Sequence, residues 1–191
     1  MEANQKSFRR IVTGHDKDGK AIIMSDQAPE RTYMIGGPKG AKFHEVWNTQ
    51  QSPALIDNAA NEPYESGLVL APPKNGTRIR VIDFPPESEE IRNLTKDEAN
   101  KHFEDMGGQE ASKAGQDAAH PLMHRTETLD YGIVLEGELT LIVDRGETVI
   151  KAGDIIIQRG TNHAWANRSG KNCRVAFILI DGRFEENLRQ I

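Results

Sequence analysis

His124-Arg-Thr126-Glu-Thr128-Leu-Asp130-Tyr131-Gly-Ile-Val-Leu-Glu136-Gly137, followed by Gly153-Asp-Ile-Ile-Ile-Gln158-Arg159-Gly160-Thr-Asn-His163-Ala-Trp165-Ala-Asn167, is the sequence that decides the fold of this chain. Side chains in an extended segment alternate between faces, so His124, Thr126, Thr128 and Asp130 share one wall. His163, Trp165 and Asn167 share a parity in the same way. If the second block folds against the first, two imidazoles and one carboxylate enter one interior. Gly137, Gly146, Gly153 and Gly160 punctuate the run at turns, where glycine's freedom at positive φ is useful.

Working outward, the chain from Tyr131 onward reads as strand and turn: Tyr131 to Leu135, Leu139 to Val143, an Asp144-Arg145-Gly146 turn, Thr148 to Lys151, Ile155 to Gln158, and Arg174 to Ile180. Short strands broken by glycine turns predict an all-β sandwich or closed barrel. Upstream, Arg10 to Thr13 and Ala21 to Met24 flank Asp18-Gly19 and predict a hairpin. Lys42 to Trp47 and Thr77 to Phe84 alternate apolar and polar residues as half-buried strands do. Residues 50–75 read as a long wrapping loop. Thr95-Lys-Asp-Glu98 is a capping box, placing one short helix at about 95–105 that Met106-Gly107-Gly108 stops. The expected organisation is N-terminal strands and wrapping loop over 1–90, helix and polar loop over 91–119, a core over 120–180, and a charged tail over 181–191.

With 191 residues the chain can bury a sizeable core. Its 24 basic and 29 acidic residues, with a formal net charge of −5, argue against a nucleic-acid surface. A single cysteine, Cys173, excludes an internal disulfide framework. No run of about 18 apolar residues suggests a membrane span, and the charged N-terminus lacks a signal core. The expected setting is cytoplasmic, with a small molecule as partner.

Two histidines and a carboxylate occupy three coordination positions of a metal ion and leave others open. His124, Asp130 and His163 are therefore the expected catalytic and metal-binding residues, and the set suits Fe(II) or Zn, with Mn also compatible. Thr126, Tyr131, Arg159 and Trp165 are expected to contact substrate, Arg159 by bidentate binding of a carboxylate and the aromatics as cavity walls. Taken singly, each histidine is more often structural than a ligand, and His120, before Pro121, reads as a surface residue. Glu127 has the opposite parity, and Asn167 reads as a turn residue that fixes the hairpin through its backbone.

The two blocks resemble the paired motifs of the cupin superfamily, small conserved-barrel type. The first family motif is His-x-His, three or four residues, Glu, six residues, Gly. The second is Gly, about five residues, Pro-x-Gly-x-x-His-x-x-x-Asn. Aligned on Gly137, His124 and Thr126 fall at the two histidines of the first motif and Asp130 at its glutamate. In the second, Gly153, Gly160, His163 and Asn167 match, while Gln158 replaces the proline and the leading gap is one residue shorter. The resemblance covers about 120–180. It implies a cupin (double-stranded β-helix, jelly-roll) barrel with an N-terminal strand extension, and homodimerisation by strand exchange or sheet packing. The first-motif wording resembles a subgroup of small stand-alone cupins, some near aromatic or polyketide biosynthesis genes, which implies a small organic substrate.

Three readings follow. The first is a metal-dependent enzyme, either a lyase (decarboxylase or dehydratase) or an oxygenase. The second is a metal-independent cyclase or isomerase, a reading that Thr126 at a ligand position favours. The third is a non-enzymatic small-molecule binding protein.

Overall fold

The computed structural model describes residues 7–63, 67–113 and 118–189. Eleven strands among the described residues form three sheets: β1 (Arg10–His15), β2 (Ala21–Gln27), β3 (Thr32–Ile35), β4 (Ala41–Thr49), β5 (Thr77–Phe84), β6 (Thr128–Glu136), β7 (Glu138–Val143), β8 (Gly146–Lys151), β9 (Ile155–Arg159), β10 (His163–Ala166) and β11 (Cys173–Asp181). The larger sheet has the order β3-β4-β5-β11-β6-β9, the smaller β10-β7-β8, and β1 pairs with β2 as a hairpin. This is the all-β barrel that the alternating short strands predict.

Burial follows the alternation. In β6, Thr128, Asp130, Gly132 and Val134 turn inward and Tyr131 outward. Central β11 is buried along most of its length because strands pair on both edges and material covers both faces. The core lies between the sheets, where Val134, Val175 and Phe177 meet Leu139 and Ile150. Gly137 turns β6 into β7 at φ 77°, and a Cβ there would sit 2.6 Å from the Asn172 carbonyl oxygen, so the position requires glycine twice over.

Two helices precede β6. The short α1 (Glu89–Arg92) was not anticipated; α2 (Lys96–Asp105) starts at the Thr95–Glu98 capping box and ends with Met106 as its C-cap. Phe103 of α2, 1% exposed, and Met106 enter the core between the sheets, so α2 is a plug rather than a surface ornament. The polar loop after it forms a 3-10 turn, Gln109–Ala111; residues 114–117 of that expected loop lie outside the described residues. Much of the charged tail is anchored: Arg125 stacks over Phe184 at 4.0 Å and donates to the Leu188 carbonyl at 2.7 Å.

Candidate active site inside the barrel

His124 and His163 meet through their main chains. Each amide donates to the other's carbonyl, at 2.8 and 2.9 Å, forming an isolated antiparallel bridge between the segment before β6 and the start of β10. Gly160, at φ 58°, allows the turn that carries the chain from β9 in one sheet to β10 in the other. The imidazole centroids consequently lie 4.1 Å apart. Phe103 packs on His124 at 5.3 Å, and Trp165 stands edge-on to His163 at 5.3 Å.

Backbone carbonyls set both rings. Nδ1 of His124 donates to Leu122 O at 3.0 Å, and Nδ1 of His163 donates to Thr161 O at 2.9 Å, a carbonyl that also accepts at 3.0 Å from Gln158 Nε2, which itself lies 2.9 Å from His163 Nδ1. With Nδ1 protonated, Nε2 of each neutral ring keeps its lone pair, and neither Nε2 has a hydrogen-bond partner among the described residues. Burial pushes His124 down to about 4 and His163 well below its ordinary value, with the neighbouring imidazole depressing His163 further. Both rings are neutral acceptors at neutral pH.

They face a cavity of about 430 Å³, a volume suited to a small organic ligand. Phe43, Ile82, Leu122, Trp165 and Phe177 supply much of the apolar wall, and Thr126, Asp130 and Arg80 contribute polar groups. The Thr126 and Thr128 hydroxyls hydrogen-bond each other at 2.7 Å. Asp130 is 6% exposed and its Oδ1 has no hydrogen-bond partner among the described residues. Burial raises its pKa to about 6, against the opposing pull of the Thr128 hydroxyl and the Arg80 charge.

Comparison with known proteins identifies this architecture. The family model described as a cupin domain matches residues 110–180. Phomopsin biosynthesis cluster protein C' of Diaporthe leptostromiformis is 31% identical over 91% of this chain and 78% of its own length. This chain belongs to the cupin superfamily. Other cupin relatives include a cupin-domain-containing oxidoreductase, fogC, of Aspergillus ruber, 29% identical over 90% of this chain and 71% of its own. Oryzines biosynthesis cluster protein J of Aspergillus oryzae is 29% identical over 95% and 87%.

Cupins invite a test of the donor set against a metal ion. His124 and His163 offer two unengaged nitrogens side by side, and Asp130 lines the same cavity. Among the described residues, however, no three His, Cys, Asp or Glu side chains converge closely enough to hold an ion. As placed, the residues fit two ligand positions and not the expected set of three.

Other expectations divide. Trp165 and Thr126 line this cupin's cavity as expected, whereas Tyr131 and Arg159 are exposed on the outer face, one residue out of phase with Asp130 and Gln158. They do not line the cavity and are not in position to contact a substrate held there. His120 is buried, not on the surface, with Nε2 2.6 Å from Glu87 Oε1. Asn167 does fix the turn, donating to the carbonyls of Phe84 and Lys171 at 2.7 Å each.

Arg80 escaped the sequence reading altogether. Arg78 and Arg80 sit in an alternating strand whose charged positions default to solvent, yet both point inward, at 0% and 1% exposure. Their even parity with Ile82 and Phe84, which line the cavity beside Arg80, was the available signal. Glu45 on β4 meets both, 3.0 Å from Arg78 Nη1 and 3.1 Å from Arg80 Nε.

The raised Asp130 carries a stability consequence. A carboxyl whose folded pKa exceeds its unfolded value is favoured in its protonated form by folding, so its stabilisation is complete below about 4 and is lost as pH rises through about 6. Asp130→Asn, nearly isosteric with the protonated acid, is expected to raise unfolding free energy at neutral pH by about 2–3 kcal/mol, a gain that shrinks toward zero near pH 4. Urea titrations at the two pH values check this; a neutral-pH loss would mean that the ionised carboxylate is favourably held. The histidines act oppositely: the His124 contribution is present above about 6.5 and lost as pH falls through about 4, and His163, also held below its ordinary value by burial, loses its contribution in the same direction.

Proposed function

We propose that this chain is a cupin enzyme of the oxidoreductase kind, converting one small, largely apolar organic molecule enclosed in its barrel. The observation that carries the reading is the pair of neutral imidazoles facing a largely apolar cavity, with a buried carboxylate and guanidinium on its walls. The names of relatives covering nine-tenths of the chain support an oxidative outcome and a role in specialised-metabolite biosynthesis. The finer assignment is oxygenase rather than lyase.

The chain's own residues bind and orient. Apolar walls exclude water from the ligand, the two Nε2 atoms accept hydrogen bonds from it, and Asp130 is the group best suited to take up a proton near neutral pH. Cys173 has no redox part in this scheme, because it is buried and its thiol is pushed up to about 12.

A second reading, metal-independent cyclisation or isomerisation, draws on the same donor set, since Thr126 holds a ligand position and the three expected ligands do not converge. One experiment separates the readings. Purified protein, prepared with no added metal or chelator and analysed for metals, is incubated in air with a panel of hydroxylated and carbonyl-bearing small molecules, and products are read by mass spectrometry beside His124→Ala. Loss of two hydrogens or gain of oxygen, abolished in the variant, is the expected result. An unchanged mass with a rearranged product supports the second reading, loss of water or carbon dioxide assigns a lyase, and binding without conversion sinks the enzyme. Stoichiometric metal lost in His124→Ala would require Asp130 to close on the imidazoles and complete an Fe(II), Zn or Mn site.

A further inference from the structure

Among the described residues, several buried polar atoms lack hydrogen-bond partners, and two of them, one a donor and one an acceptor, belong to residues that line the barrel cavity. Arg80 donates through Nη2 to Val69 O at 2.6 Å and sets Nε 3.1 Å from Glu45 Oε1 as an ion pair without a hydrogen bond, and among the described residues Nη1 has no hydrogen-bond partner although the side chain is buried. Across β11, Asp130 leaves Oδ1 equally unsatisfied. Both residues line the one cavity and are close enough to influence each other electrostatically. Buried polar groups without partners are rare because the lost hydration is not replaced, and at a cavity wall the natural replacement is a ligand.

We propose that Arg80 and Asp130 form a head-group subsite for an uncharged hydroxy-carbonyl ligand, whose carbonyl oxygen accepts from Arg80 Nη1 and whose neighbouring hydroxyl donates to Asp130 Oδ1. Charge decides between this head and a carboxylate. Arg78 and Arg80 are already balanced by Glu45 and Asp130, so a carboxylate would enter as an unpaired buried anion. A neutral head satisfies both orphans without adding charge. Beyond the head, Phe43, Ile82 and Phe177 accept an apolar or aromatic body. The inference deepens the proposed function, resting on it only in taking the barrel interior as the substrate chamber.

The test is calorimetric binding near neutral pH with phenacyl alcohol, acetophenone, phenethyl alcohol and phenylacetate. Phenacyl alcohol carries both head groups, acetophenone lacks the hydroxyl, phenethyl alcohol lacks the carbonyl, and phenylacetate is anionic. Phenacyl alcohol is expected to bind about tenfold tighter than either single-group probe, each missing contact being a hydrogen bond to a charged group. Arg80→Lys should weaken phenacyl alcohol and acetophenone while sparing phenethyl alcohol. Asp130→Ala should weaken phenacyl alcohol and phenethyl alcohol while sparing acetophenone.

This crossed pattern survives a uniform loss from imperfect packing, and if Arg80→Lys does not fold, the probe ranking in the parent protein decides alone. Equal affinities, tighter binding of phenylacetate, an uncrossed loss in the variants, or no binding by any probe overturns the subsite. No turnover is read, so the ranking can hold in a protein that converts nothing, and conversion of a ligand without this head would leave the proposed function standing while the subsite fails.

Discussion

Glu45→Ala is expected to lower the unfolding free energy by about 3–5 kcal/mol, the usual cost of leaving a buried charge without its partner. Glu45 is 1% exposed and is the carboxylate paired with both Arg78 and Arg80, themselves buried on β5. Its removal takes the carboxylate shared by two buried guanidinium groups out of the barrel, and burial already works against the Arg80 charge, bringing its pKa down to about 10. The prediction has a partner that isolates the cause. Replacing all three with apolar residues of similar size, as Arg78→Met, Glu45→Leu and Arg80→Met together, should recover most of the loss, because attraction within a buried ion network only roughly repays its desolvation. Urea unfolding measures both proteins. A cost below about 1 kcal/mol for Glu45→Ala would mean that water reaches the cluster.

His163→Ala carries the largest expected functional effect, a loss of about 10²–10⁴ in turnover on whatever substrate the product screen identifies, the range typical of a positioned group that handles protons or hydrogen bonds during reaction. No other polar ring in the cavity is so closely held: its Nδ1 is fixed to Thr161, His124 lies 4.1 Å away, and Trp165 flanks it. Steady-state kinetics should show the deficit mainly in kcat, since the apolar walls that bind most of the ligand are untouched. Thr161 and Gln158 give a graded control. Gln158→Ala removes a side chain whose Nε2 shares the Thr161 carbonyl and lies 2.9 Å from His163 Nδ1, but the Thr161 carbonyl still holds the ring, so a smaller loss is expected. Full activity in His163→Ala would remove the imidazole pair from the mechanism.

The paired motifs were legible because they join two kinds of signal, turn glycines and a parity that puts His124, Asp130 and His163 indoors. That parity held: all three line the cavity. What the spacing did not carry was convergence, since parity assigns a face and says nothing of how far apart two strands leave their side chains. Strands β3 and β10 were missed because four residues are too few to establish an alternation. The buried charges failed for a different reason. A polar residue in an alternating strand is ordinarily the wet one, and Arg78, Arg80 and Glu45 reverse that rule because Glu45 pairs with both arginines across β4 and β5. A pairing of that kind becomes visible once the strands have a register.

The reciprocal amide bonds between His124 and His163 make the distance between the two rings a property of the main chain. Redesigning the apolar walls can therefore alter the length or breadth of the molecule admitted without disturbing the gap between the imidazoles. Conversely, the two backbone segments cannot move apart unless two peptide groups unpair together, so a main-chain opening that widens the site also exposes both amide protons to solvent in one event. The barrel thus behaves at this point as a clasp with a single pin, its grip constant while closed and its release all-or-none.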